Sequence, residues 1–253
     1  MRPERFSLGA LTTDEARTIA ARPPTCVLVP VGSVEPHGPH LPLETDTTIS
    51  EEAAARAAES LNARGVPTYI APSLPYGVTD YAAGFSGALS VPADALTSLL
   101  RAIVRGLLAD GWSHVCLVNN HLEPAHDAAV RAAVADLEAG RASVACPLTR
   151  RWARTLSDEF KRGNCHAGRY ETSLVLAAGT PVRPLASALP SLETSLSDGI
   201  RTGKATFAAM GMDRAYTGAP AEATAEEGND LYARLTEMIT TEVLLGLAGV
   251  ARA

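Results

Sequence analysis

The chain is expected to adopt an α/β fold, a three-layer α/β/α arrangement in which helices cover both faces of a mainly parallel sheet. Three observations carry that expectation. Short apolar runs at residues 25–31, 68–71, 114–118 and 143–147 have the length and continuous hydrophobicity of strands buried on both faces. Helical patterns follow the first three runs after loops rich in glycine and proline, and alternation of strand and helix is the signature of a parallel sheet. Finally, 253 residues with 46% apolar side chains suffice for one sizeable core, so residues 1–253 read as one domain.

The first strand, residues 25–31, is bounded by Pro24 and Gly32. The polar, proline-rich stretch 33–45 is a loop, and Thr45 or Asp46 is positioned to cap the alanine-rich helix 47–62. Gly65 ends that helix, with Arg64 in its last turn. The second strand leads into a long loop carrying Tyr76, Gly77, Tyr81, Gly84, Phe85 and Gly87, then a helix over 93–110 that stops at Gly111. After the third strand and a turn at 119–123, Pro124 opens a helix at the position proline favours, expected to run to near Gly140. The remainder reads as a strand at 143–147, a charged segment 150–162, a helix 171–178, a long irregular stretch 187–203 and a terminal helix 221–246.

Composition excludes several classes of partner. A formal charge of -6 without a Lys/Arg cluster gives no basis for nucleic-acid binding, which depends on counterion release at phosphates. The longest apolar run, 238–250, is broken by Thr240, Thr241 and Glu242 and is shorter than the roughly 20 residues of a membrane span. Residues 1–11 carry charge and no apolar stretch of signal-peptide length, so a cytoplasmic location is expected. Cys26, Cys116, Cys146 and Cys165 lack C-x-x-C spacing and read as free thiols in a reducing compartment, with Cys165 set apart by its neighbour His166.

The loops that follow parallel strands share one edge of the sheet, so residues distant in sequence can converge there. Glu35 and His37 lie two apart in the first such loop and can point toward one ion, while Asp46 returns at the helix start as a candidate bridge between two ions. Asp46 reads equally well as a helix cap. Beyond the third strand, His121 and Glu123 form a second imidazole–carboxylate pair, with His126 deeper in the helix as a supporting or structural group. Glu171 is either a ligand or an acid favoured by the helix dipole. His166 can donate a proton to a leaving amine or hold a developing oxyanion.

These blocks resemble the creatininase family. Gly32-Ser33-Val34-Glu35-Pro36-His37-Gly38-Pro39-His40-Leu41-Pro42-Leu43 with Thr45-Asp46 is similar to its signature loop, His121-Leu122-Glu123 to its His-x-Glu pair, and His166-Ala167-Gly168 with Glu171-Thr172-Ser173 to a third block. The resemblance implies a binuclear centre in an oligomer that is often hexameric. Glu35 and His121 would hold one ion, His37 and Glu123 the other, and Asp46 would bridge. It also implies two divalent ions, Zn²⁺ first, with Mn²⁺ or Fe²⁺ compatible with the same oxygen and imidazole donors. Two departures, Asp80-Tyr81 where Glu-His is common and Arg169 where a glutamate is usual, fall in loops expected to face the substrate.

The function expected is hydrolysis of a C–N amide bond, linear or cyclic, in a small molecule by metal-activated water, with Glu123 or Glu171 accepting a proton and His166 assisting the leaving nitrogen. Tyr76, Tyr81 and Phe85, with Trp152 as an addition, are candidate substrate walls. The alternatives are a formamide hydrolase or peptidase of the same family acting in cofactor biosynthesis, a non-catalytic metal-binding subunit, and a cysteine hydrolase using Cys165 and His166.

Overall fold

The computed structural model describes residues 6–249. The first five residues of the charged N-terminal segment and Val250, at the end of the longest apolar run, lie outside the described residues.

Four strands, β1 (Cys26–Val31), β2 (Thr68–Ile70), β3 (His114–Asn119) and β4 (Ala142–Ala145), form a parallel sheet in the order β2-β1-β3-β4. The helices of eight residues or more are α1 (Thr13–Ala20), α2 (Thr45–Ala63), α3 (Ala93–Ala109), α4 (Pro124–Ala132), α7 (Arg169–Ala177) and α9 (Ala225–Leu247). Shorter ones are α5 (Arg150–Ala153), α6 (Asp158–Arg162) and α8 (Leu196–Arg201).

Strand periodicity divides the core between the two faces, because successive side chains point to opposite sides. Cys26, Leu28, Cys116 and Val118 meet Ile49 and Leu61 of α2, Leu174 of α7 and Leu235 of α9. Val27, Val29, Val31, Val115 and Leu117 face the other way, onto Leu96, Leu100 and Val104 of α3 and Val130 of α4. Covering each such side chain stabilises the fold by roughly 1.5–3 kcal/mol, so each helical layer is held by its own set of strand residues.

The central pair of strands places the functional loops. Val31 of β1 lies in register with Asn119 of β3, so the segments starting at Gly32 and Asn120 leave the sheet side by side. A Cβ on Gly32 would sit 2.5 Å from the Thr47 backbone nitrogen, so only glycine lets the first turn of α2 close against the end of β1. That approach carries Asp46 back toward the loop it follows.

Several boundaries differ from the expectation. The N-cap of α2 is Glu44, without a side-chain cap bond, and Asp46 lies inside the first turn. Thr45 donates its hydroxyl to Pro42 O at 2.7 Å, so neither candidate acts as the cap. The helix opened by Pro124 ends at Ala132, where short turn bonds such as Val134 N to Arg131 O replace the α ladder before Gly140. The charged segment 150–162 holds α5 and α6, and the stretch 187–203 contains α8, capped by Ser195 accepting from Asp198 N. The terminal helix starts later than expected because Thr224 caps it, accepting from Glu227 N. Among the described residues no helix is long and apolar enough to cross a membrane.

Candidate metal centre and its cavity

Three histidines arrive with one ring nitrogen already committed. His37 Nδ1 donates to the Glu35 carbonyl at 3.1 Å, His121 Nε2 to the Val78 carbonyl at 2.6 Å, and His166 Nε2 to the Pro36 carbonyl at 3.0 Å. A carbonyl oxygen can only accept, so each neutral ring keeps its lone pair on the other nitrogen. Metal-ligating histidines are oriented in this way.

Those free nitrogens face buried carboxylates. His121 Nδ1 lies 3.2 Å from Glu35 Oε1 and 3.0 Å from Asp46 Oδ2. His37 Nε2 lies 3.1 Å from Asp46 Oδ1, 3.5 Å from Glu171 Oε2 and 3.8 Å from Glu35 Oε1. Glu35 with Asp46 and His121, and His37 with Asp46 and Glu171, therefore form two donor sets that share Asp46, one oxygen to each side. A third set joins Glu35, His37 and His166, whose Nδ1 is 3.8 Å from Glu35 Oε1.

A divalent ion fits these sets. His121 Nδ1 and Asp46 Oδ2 are buried and 3.0 Å apart, yet among the described residues neither has a hydrogen-bond partner. Two lone pairs facing each other away from water are costly unless a proton or cation lies between them. Donors 3.0–3.5 Å apart suit an ion bound at about 2.0–2.2 Å from each, and an oxygen and imidazole set without thiolate suits Zn²⁺, Mn²⁺ or Fe²⁺.

The electrostatics express the same demand for positive charge. Burial opposes protonation of His37, but Asp46, Glu171 and Glu35 outweigh it and push the ring up to about 10. His121 is likewise raised against its burial, by Glu35 and Asp46. Burial raises Glu171 to about 8 despite the opposing pull of His37. Asp46 is lowered, its burial overcome by His37 and His121.

Glu123, expected to share an ion with His37, belongs to neither donor set; Glu171 occupies that place. The Glu123 carboxylate is engaged elsewhere, Oε1 accepting from Asp80 N at 3.1 Å and Oε2 from Tyr81 N at 3.3 Å. Burial raises it to about 7. His166 is lowered to about 4 by burial and by His37, and it is neutral at pH 7. His126 is a supporting group: Nδ1 accepts from Val78 N at 3.2 Å, and its ring packs edge-on to His121 with centroids 4.6 Å apart.

The cluster lies in a cavity of about 330 Å³ lined by Glu35, Asp46, His121, Glu123, His166 and Glu171. Its other walls are mostly apolar and include Leu122, Phe160, Leu196, Ile200 and Phe207. Of the expected substrate walls, Tyr81 lines the cavity, whereas Tyr76 and Phe85 are not among its lining residues. Tyr76 is 48% exposed, and Phe85 packs against the core around Phe207 and Met210. Trp152 is buried away from the cavity, its indole N–H donating to Glu242 at 2.9 Å. Burial and the Glu171 carboxylate raise the Cys165 thiol above its ordinary range, so it lacks the thiolate character of a nucleophile.

Sequence reasoning passed over Thr79, whose hydroxyl donates to Glu35 Oε2, and Phe207, whose ring centroid is 4.4 Å from that of His166. Neither carries a motif of its own; an apolar residue between short irregular segments looks the same whether it lines a cavity or fills a core.

A parallel α/β/α fold with carboxylate and imidazole donors gathered at the carboxyl edge of its sheet is the framework of a candidate metal centre. The chain belongs to the creatininase family, whose model, described as creatinine amidohydrolase, matches residues 9–243. It is 31% identical over 246 residues to a mycofactocin precursor peptide peptidase from Mycobacterium ulcerans (strain Agy99), covering 91% of this chain and 88% of the relative. A creatinine amidohydrolase from Pseudomonas putida is 28% identical over 121 residues, 46% of this chain and 45% of the relative. A solved structure described as "Creatininase Mn" superimposes with a TM-score of 0.73 at 20% identity, over 97% of this chain and 99% of that one.

Proposed function

We propose that the protein is a binuclear metal-dependent peptidase that cleaves a C–N amide bond in a peptide substrate. The observation that carries this reading is the pair of donor sets sharing Asp46, with the unpartnered His121 Nδ1 and Asp46 Oδ2 between them. Similarity over nine-tenths of the chain to a precursor peptide peptidase favours a peptide over creatinine, whose named enzyme is similar over less than half. The cavity of about 330 Å³ also exceeds what a small polar ring fills.

In this reading Glu35 and His121 would hold one ion, His37 and Glu171 the other, with Asp46 available to both. Ions bound there would supply Lewis acidity, lowering the pKa of water and polarising the amide carbonyl. Glu123, raised to about 7 and oriented by the Asp80 and Tyr81 N–H groups, is matched to accept a proton from the attacking water near neutral pH. His166, neutral and fixed at Nε2 by the Pro36 carbonyl, offers the Nδ1 lone pair to the N–H of the leaving amine, and Glu123 returns to the leaving nitrogen the proton it took from water. The apolar walls exclude bulk water from this exchange.

The test is metal analysis of purified protein followed by assays on a mixed-sequence peptide library, formamides and creatinine with the native metal restored. Two equivalents of metal and chelator-sensitive peptide cleavage are expected. Turnover of creatinine alone, or two bound metals with no hydrolysis of any of these substrates, would overturn the peptidase reading.

A further inference from the structure

We propose that Leu196 and Ile200 of α8, together with Phe207, form a specificity pocket for a bulky apolar side chain adjacent to the scissile amide. This inference rests on the peptidase reading and names the class of peptide that the site selects.

The cavity is chemically two-sided. Carboxylates and imidazoles cluster at its floor, while Leu196, Ile200 and Phe207 are among the apolar residues of its walls. Leu196 and Ile200 are four apart on α8 and share one helix face, so they present a continuous apolar surface. Apolar walls facing water in a concave site are stabilised by a ligand that covers them, and a cavity of this size accommodates a branched or aromatic side chain with its flanking backbone.

The wall is held firmly in place. Leu196 N donates to Gly163 O at 2.8 Å, tying the start of α8 to the end of α6. Gly163 has φ 79°, and a Cβ there would lie 2.5 Å from Ser197 Oγ, so the Ser197 side chain packs directly over that glycine. On the other side, a Cβ on Gly199 would lie 2.7 Å from Met210 Sδ, which seats α8 against the turn that follows Phe207. Phe207 also stacks with Tyr81, ring centroids 6.3 Å apart, and lies against His166. A side chain that fills the pocket is thereby brought beside the group that serves the leaving nitrogen. A pre-formed wall of this kind gives selectivity without an ordering cost at binding.

The experiment compares kcat/KM for metal-restored enzyme on peptides differing at the positions flanking the cleaved bond. Leucine or phenylalanine at one flanking position should exceed glycine by roughly 10- to 100-fold, the range expected for burying such a side chain. Ile200→Ser and Leu196→Ser should each reduce that ratio by about tenfold. Metal content at the wild-type level shows in each case that the floor is intact. Equal rates for glycine and leucine peptides, or an unchanged ratio in variants that retain metal, would overturn the pocket while leaving the peptidase reading standing. Absence of any peptide cleavage would overturn that reading and this inference with it.

Discussion

The floor and the walls of the cavity obey different physics. The floor is over-supplied with negative charge: Glu35, Asp46 and Glu171 are each no more than 3% exposed, and among the described residues no lysine or arginine lines the cavity. Buried carboxylates without a counter-charge are prohibitively costly, so the floor is completed by cations or by protons on His37 and His121. The walls carry almost no charge and discriminate by shape. The floor thus fixes what reaction is possible, and the walls fix what enters.

Asp46→Ala should break the distinction most severely. Removing the residue common to both donor sets is expected to abolish binding of both ions and to lower turnover by more than about 10³-fold, beyond the loss of one electrostatic group. Full activity in metal-free Asp46→Ala protein would show that the floor has some other purpose.

Glu171→Gln and Glu123→Gln sharpen the boundary of the floor. The first should lose one equivalent of metal by elemental analysis. The second should retain both and lose roughly 10²–10⁴-fold in kcat, the range for removing a general base. The reverse pattern would restore Glu123 as the ligand and make Glu171 the supporting group.

Metal binding should strengthen as pH rises. In metal-free protein His37, raised to about 10, and Glu171, raised to about 8, hold protons at neutral pH that a cation must displace. His121, also raised, holds a third, so affinity measured between about pH 6 and pH 8 should climb, with up to three protons released per site pair by calorimetry in buffers of differing ionisation heat. A pH-independent affinity would mean that these groups do not ligate.

The smallest effect is expected at the junction that supports the floor. His40 Nε2 and Thr172 Oγ1 are 2.9 Å apart and link the loop after β1 to α7, one residue beyond Glu171. Thr172→Val should cost about 1 kcal/mol in denaturant unfolding and weaken the metal at His37 and Glu171 severalfold. Unaltered metal affinity would separate that junction from the floor.

Much of the floor was legible in the chain because it is built from short segments with few conformations. Prolines and glycines around Glu35 and His37 constrain their loop, and both it and the His121 loop leave parallel strands at one edge. The walls were not legible. Leu196, Ile200 and Phe207 lie in stretches without periodicity, and the Ser195 cap that signals α8 is short and isolated. Two of the aromatic residues expected as substrate walls, Tyr76 and Phe85, are drawn instead to solvent and to a neighbouring core.

By itself the sequence determined the layered α/β fold, the sheet edge where chemistry collects, and the identities of Glu35, His37, Asp46 and His121 as companions. Those outcomes follow from local pattern: continuous apolar strands, a loop constrained by proline and glycine, and donors in the segments that follow strand ends. Only the tertiary structure set Glu171, and not Glu123, beside His37, because both lie at helix starts and differ in which backbone amides and which histidine they meet across the cavity. Contacts between segments dozens of residues apart depend on how the layers dock, and no local pattern encodes that distance.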